Sequence, residues 1–337
     1  MTDIIYNFII PSTSDLSLEQ LASSGFSCPS NYANQGEFIW GHQTYHILKS
    51  HGFSAQLSYD LNPNAVNLAH GNVLRSLDKR PDCFCVSLQA DFPHYPLAHF
   101  HVVQNMEQEE KNAAYITHWP QPEQLPRDAS HEGPFHVVYQ GARNFTELDE
   151  ERINTDLRDC GIHFSIYDQH QWQDLSEVDI LIGIRSFGHK QYKRKPPTKL
   201  INAWHAGIPF IGGWDSAYSQ VGTPGKDYIR VASYQQMIDE IKKLKADSGH
   251  YNDLIKEGQI RASAFTVDAI AKVWIGVLEN RIDKEFELWV ENPRHELAYH
   301  LMRINYGIET VFKNGLKKLY RIPGINRLRD RYYDPLK

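Results

Sequence analysis

The chain has 337 residues, enough for two domains of ordinary size. Hydrophobic residues make up 41% of it and charged residues 23%, the balance of a globular protein with a substantial core. A net charge of −6 argues against a general nucleic-acid binder, which needs a strongly basic surface.

Four cysteines (Cys28, Cys83, Cys85 and Cys160) show no C-x-x-C spacing. Cys83 and Cys85 stand two apart in an apolar run, so both face one side of a strand as core residues, and no second pair completes a zinc site. Reduced thiols in the cytoplasm are the simplest reading. The opening apolar run lacks a basic flank, so no signal peptide is expected. No stretch approaches the roughly 18 apolar residues of a membrane span.

In chain order, residues 4–10 form an apolar run ending at Pro11, the mark of a central parallel strand. A long polar loop with a helix over 15–24 leads to Gly36. A helix over 37–50 follows, with Phe38, His42, Tyr45 and Leu48 inward, and a strand over 54–59 completes a βαβ unit. Residues 82–88 and 99–105 read as further strands. Asp91, His94 and Gln104 then gather at the carboxyl edge of this sheet, where open α/β sheets bind ligands. One of them serves as a catalytic base or an acceptor contact, although plain turn chemistry also puts polar residues there. Helical His42 joins Asp91 and His94 as a catalytic candidate.

Residues 117–130 hold three prolines and no periodicity, the pattern of an interdomain linker. This divides the chain into an N-terminal domain 1–116, the linker, a second domain 131–280 and a helical tail 281–337. The second domain alternates again: a strand over 134–141 ending in glycine, a helix over 147–161, a strand over 162–168, then a short helix and a strand over 175–185. A strand over 227–231 and an amphipathic helix over 233–247 complete a parallel α/β pattern.

Between these last elements lies the most informative stretch, 194–218. Two prolines stop the preceding chain and Thr198 is placed to cap a helix over 199–205, which Gly207 ends. Ile208, Phe210 and Ile211 read as a buried strand, and Gly212-Gly213 as a bend where backbone can approach a ligand. A helix start suits a phosphate, and Arg194, Lys195 and Lys199 crowd this one. Asn202, one turn in, is positioned for a sugar or ribose hydroxyl. Arg185 and Ser186 follow a strand. Asp215, Ser216 and Tyr218 follow the glycine bend, within reach of a sugar or base. A strand–loop–helix packing unit with solvated lysines accounts for the same residues.

Residues 251–280 read as helical, and the tail from 281 reads as mostly helical until Pro323. From 313 to 331 seven Lys or Arg stand against one Asp, with Leu316, Leu319, Tyr320, Ile322 and Ile325 interleaved. That composition suits peripheral contact with an anionic membrane, at the inner face, and equally a basic helix folded back on an acidic lobe. No P-loop, nucleophile elbow, H-E-x-x-H or G-x-G-x-x-G motif is present.

The run KPPTKLINAWHAGIPFIGG, residues 195–213, resembles the donor-nucleotide motif of GT-B glycosyltransferases, similar to those of families 1 and 4. In such enzymes a helix opens toward a sugar diphosphate and a Gly-hydrophobic-Pro turn enters the next strand. Many members carry Glu where this chain has Asn202. The resemblance implies two Rossmann-like lobes with a cleft between them and a C-terminal helix crossing back to the first lobe. It implies transfer of a sugar from a nucleotide diphosphate sugar to a hydroxyl acceptor entering near 25–42, with no metal and no other cofactor. Arg143, after Gly141, matches a basic residue that meets the donor diphosphate, beside Lys195 and Lys199. A GT-B protein that binds without catalysis is the alternative that Asn202 keeps open, and an epimerase acting on the donor alone is a third reading.

Overall fold

The structure is a computed structural model that describes residues 4–12, 16–26 and 35–319. The chain divides into two compact units. The first takes the described residues up to Val103, Gln108–Ile116 and those from Val273 on. The second takes Gln104–Glu107 and Thr117–Lys272.

The first unit holds β1 (Tyr6–Ile9), α1 (Leu18–Ser23), α2 (Gly36–Ser50), β2 (Ala55–Ser58), β3 (Val66–His70), α3 (Gly71–Ser76), β4 (Phe84–Ala90), β5 (Phe100–Val103) and β6 (Ala113–Tyr115). The strands form one parallel sheet in the order β2-β1-β3-β4-β5-β6. Strands β1, β3 and β5 are buried along their whole length, as strands covered on both faces must be. The inward face of α2 is the expected one, with Phe38, His42, Tyr45 and Leu48 all buried. Cys83 and Cys85 lie in one apolar cluster.

Strand β3 and the short β6 are absent from the sequence reading. In β3, Asn67 occupies a central, fully buried position. Its amide donates to the carbonyls of Asn62 (2.8 Å), Ala65 (3.1 Å) and Phe84 (3.0 Å), and its Oδ1 accepts from Asn7 Nδ2 at 2.8 Å. Gln56 Nε2 donates to Asn7 Oδ1 at 3.0 Å, so a polar row runs across β2, β1 and β3.

The second unit holds β7 (Phe135–Gln140), α4 (Glu150–Leu157), β8 (Ile162–Tyr167), β9 (Ile180–Gly183), α5 (Thr198–Ala206), β10 (Phe210–Gly212), α6 (Ser216–Val221), β11 (Ile229–Arg230), α7 (Tyr234–Ala246) and α8 (Ser248–Ala262). Its parallel sheet runs β11-β10-β9-β7-β8. Residues 175–178 form a hydrogen-bonded turn, Val178 N–H to Leu175 C=O at 3.1 Å, where a short helix was expected. The backbone at Leu175 is committed to Leu125, which leaves only a turn before β9. Residues 117–130 are bonded along this unit. Leu125 exchanges backbone bonds with Gln173 (2.8 Å) and Leu175 (3.0 Å), Arg127 pairs with Asp179 at 2.5 Å, and Trp119 is buried.

Helix α9 (Val267–Val277) runs from the second unit's residues into the first's, and α10 (Asp283–Glu291) and α11 (His295–Leu319) follow. These later residues pack on the first unit. Trp274 meets Trp40 edge-on at 6.3 Å, and Phe286 and Trp289 meet Phe84 at 5.4 and 5.8 Å. Arg281 donates to the carbonyls of Glu110 (2.6 Å), Lys111 (3.0 Å) and Ala113 (3.0 Å). Residues 320–331, the basic half of the tail, lie outside the described residues.

Candidate functional site

In the second unit the chain leaves β7 for β8 on one side and then crosses to β9 on the other. Strand order reverses there, and the loops after β7 and β9 diverge from adjacent carboxyl ends, which opens a crevice. The two loops are laced together. Thr146 Oγ1 donates to Ile184 C=O at 2.6 Å, Glu147 N–H to Arg185 C=O at 3.0 Å, and Phe187 N–H to Glu147 Oε2 at 2.9 Å.

Close approach at the strand ends demands glycine at two places. A Cβ on Gly183 would stand 2.2 Å from Phe210 Cζ and 2.6 Å from the Tyr218 hydroxyl. A Cβ on Gly212 would meet Phe210 at 2.9 Å and Tyr218 at 3.0 Å. Gly213 has room, its nearest contact being 3.6 Å, so the ring packing behind the bend requires Gly212 and not its neighbour.

Arg185, Lys195, Lys199 and Asp215 converge on this edge. Arg185 Nε donates to Asp215 Oδ2 at 2.9 Å, with the side chains 13% and 2% exposed. Burial pushes the Asp215 carboxyl up, and the charges of Arg185, Lys199 and Lys195 pull it back. Lys199 Nζ lies 5.3 Å from the Tyr139 ring centre. Helix α5 begins at Thr198 with Pro197 before it and no side-chain cap. The expectation that Thr198 caps the helix is therefore corrected: Thr198 is its first helical residue, because Pro197 takes the cap position. Without a side-chain cap, the first-turn N–H groups and the positive end of the dipole face the cations' neighbourhood.

One residue that the sequence did not single out holds the arrangement. Fully buried Asn105 donates to Ser216 Oγ at 2.9 Å and to the carbonyls of Lys195 (3.0 Å) and Tyr192 (3.4 Å), and accepts from Gln220 Nε2 at 2.9 Å. It ties the 192–195 segment to α6. Its only sequence signal is a polar residue at the end of an apolar strand.

Other expected contacts are not brought together. Tyr218 is a core residue: its ring packs at 4.9 Å from Phe210 and 6.3 Å from Tyr228 in an apolar cluster, because α6 turns that face inward. This corrects its assignment to the ligand surface. Asn202 is buried at 5% exposure under the carbonyl contact from Gln124, and Ser216 is engaged by Asn105. Arg143 is exposed and pairs with Glu150. It lines an open cavity of about 450 Å³ with Gly141, Ile166, Asp168, His170 and Trp172, at the ends of β7 and β8.

In the first unit the matching reversal lies between β1 and β3. The segment after β1 includes 27–34, outside the described residues, so the expected acceptor entrance over 25–42 is described only in part. His42 Nε2 meets Ser24 Oγ (3.0 Å), Leu21 C=O (3.2 Å) and His46 Nε2 (3.2 Å). Burial lowers its pKa to about 4. It is a neutral, fully buried clamp between α1 and α2, which corrects its reading as a catalytic group. His94 is exposed and stacks on His101, ring centres 3.8 Å apart. His101 and Ser87 are cross-strand neighbours in β5 and β4, both fully buried, and neither ring nitrogen nor the hydroxyl has a hydrogen-bond partner. Ala90 takes φ +50° where the β4 register shifts, which turns the chain toward Asp91 and His94.

Among the described residues, no group of three or more His, Cys, Asp or Glu is arranged to hold a metal ion, and no helix is long and apolar enough to cross a membrane.

No protein-family model and no curated protein sequence matches the chain. Solved structures do. HepE from Anabaena, in complex with UDP and glucose, superposes with a TM-score of 0.51 at 9% identity, over 82% of this chain and 99% of its own. Sucrose-phosphate synthase from Thermosynechococcus elongatus gives 0.47 at 12% identity, over 84% and 99%. The pneumococcal O-GlcNAc transferase GtfA, with UDP and GlcNAc, gives 0.44 at 13% identity, over 73% of this chain and 60% of its own. The chain thus spans less than two thirds of the GtfA structure while matching HepE nearly end to end. Two parallel α/β sheets, helices around each, and a helical C-terminal region packed on the first unit make this the GT-B fold of the glycosyltransferases.

Proposed function

We propose that the protein is a nucleotide-sugar-dependent glycosyltransferase whose second unit holds the donor. The observation that carries this is the convergence of Arg185, Lys195 and Lys199 with the uncapped start of α5 at the sheet's reversal point. Breaking a glycosyl–phosphate bond leaves negative charge on a departing diphosphate. Fixed cations and N–H groups stabilise that charge without reorganising during the reaction, so no metal is called on in this reading. Asp215 fixes the Arg185 guanidinium and neutralises part of the cluster. Arg143 extends the positive edge toward the neighbouring cavity. The UDP and glucose of HepE, a protein of the same fold, support a uridine diphosphate sugar as the first donor to try.

The acceptor supplies a hydroxyl, whose proton passes to a base of the first unit. Asp91 and His94 are the candidates for it. Unpartnered Ser87 and His101 nearby are groups that a polar acceptor would satisfy.

The test is release of nucleoside diphosphate from a panel of sugar donors, with and without hydroxyl acceptors, after a thermal-shift screen across nucleoside diphosphates. Acceptor-dependent release is expected. Conversion of the donor alone would make the protein an epimerase, and tight binding with no turnover on any pair would make it a binding protein.

A further inference from the structure

Helix α11 is apolar on two opposite faces. On one, Tyr299 is 3% exposed, and Met302 and Tyr306 pack with it against the cluster that includes Ile9, Val73 and Leu97. On the other, Leu297, Leu301, Ile304, Ile308, Val311 and Phe312 are each 55–74% exposed. At the helical repeat these six fall within an arc about 100° wide, and the stripe is about 22 Å long. Scattered surface leucines are ordinary, but six large apolar side chains in one row mark an interaction surface.

The sequence that continues the helix says what covers it. Between 313 and 331 stand Lys313, Lys317, Lys318, Arg321, Arg327, Arg329 and Arg331 against Asp330 alone, in a chain of net charge −6. We propose that α11 lies in the plane of an anionic lipid bilayer, its stripe sunk to the boundary between headgroups and acyl chains, a surface whose lipid phosphates also suit the basic run that the sequence holds at 313–331. An apolar helical stripe followed in sequence by a Lys- and Arg-rich run, with no helix among the described residues apolar enough to span, has the composition of an interfacial anchor. A second copy of the chain is the poorer occupant. A second copy would cover the apolar row but brings no dedicated partner for the basic run, whereas an anionic phospholipid surface complements both.

This inference goes beyond the donor site and is tested apart from it. The full-length protein is sedimented with phosphatidylglycerol–phosphatidylcholine vesicles and with phosphatidylcholine vesicles, at low and high salt. Pelleting is expected with the anionic vesicles, and it should weaken as salt rises. Ile304→Asp with Ile308→Asp, at the centre of the exposed stripe, should lower apparent affinity for anionic vesicles about tenfold or more while leaving the melting temperature unchanged. Negligible pelleting with both vesicle types would overturn the proposal, as would pelleting that the double variant does not reduce. A concentration-dependent dimer in analytical ultracentrifugation, lost in that variant while vesicles recruit nothing, would assign the stripe to a second copy instead. Nucleoside diphosphate affinity, measured on the same samples, keeps this result separate from the fate of the donor site.

Discussion

Lys199 combines the features that a diphosphate contact needs. It lies in the first turn of α5, beside the Tyr139 ring, and its charge reaches buried Asp215. A lysine with these neighbours is held near one position and loses little freedom when an anion arrives. Lys199→Ala is therefore expected to weaken nucleoside diphosphate binding by about 1.5–3 kcal/mol, the worth of a hydrogen bond to a charged group. Titration calorimetry measures it, and an affinity equal to wild type would remove Lys199 from the site. That Arg185, Lys195 and Lys199 lie near one another was readable from sequence, because strand ends and helix starts locate them. Asn105 was not, because apart from Glu107 N–H the partners of its side chain stand 87 to 115 positions away. Tyr218 misled for the converse reason: a residue just past a glycine bend looks available to a ligand until the packing of α6 is known.

At the scale of elements, the strands legible in the sequence were those in mostly apolar stretches, such as β1, β4, β7 and β9. Strand β3 hides because Asn67 and His70 make it look like loop, although both are buried. Asn67 is held by hydrogen bonds, which hydrophobic patterning does not register. Asn67→Leu keeps the branched outline but removes the partner of the carbonyls of Asn62, Ala65 and Phe84 and of the amide of Asn7. Each buried group left unsatisfied costs about 1–3 kcal/mol, so a loss of at least about 2 kcal/mol is expected in urea unfolding. A variant as stable as wild type would mean that water replaces the lost partner. Short elements were the least legible: three-residue β6 carries no period at all.

For the molecule as a whole, protons couple to folding mainly through the first unit. Burial lowers the pKa of His42 and His99 to about 4 and of His101 to about 3, while the unfolded chain takes up these protons near 6.5. Between pH 6.5 and about 4 the unfolded state holds more protons, so stability falls as the pH falls. Asp283 opposes this. Burial, with Glu287 and Glu279 nearby, raises its carboxyl from 3.8 to about 6, although Tyr6 donates a hydrogen bond to it at 2.8 Å. The folded state then holds a proton that the unfolded state releases, and acidification from pH 6 toward 4 favours folding at that group. Three histidines outweigh one carboxyl. The melting temperature is expected to drop by roughly 5–15 °C between pH 6.5 and 4.5. Asp283→Asn should raise it at pH 7.5 and steepen the drop. Scanning calorimetry across that range decides it, and a flat profile would show that water reaches the three rings.

The chain passes between its units four times, after Val103, Glu107, Ile116 and Lys272. During synthesis this inverts the order of completion. The second unit has all its residues once Lys272 has left the ribosome. At that moment the first unit, begun earlier, still lacks Trp274, Phe286, Trp289 and Tyr299 over Trp40, Phe84 and the apolar cluster around Leu97. The older half of the nascent protein waits with part of its sheet uncovered while the younger half closes, and that interval is when a growing chain most needs protection from its neighbours on the polysome. Nor would one cut yield two self-sufficient halves, because Asn105, made before either half is finished, is built into the later one.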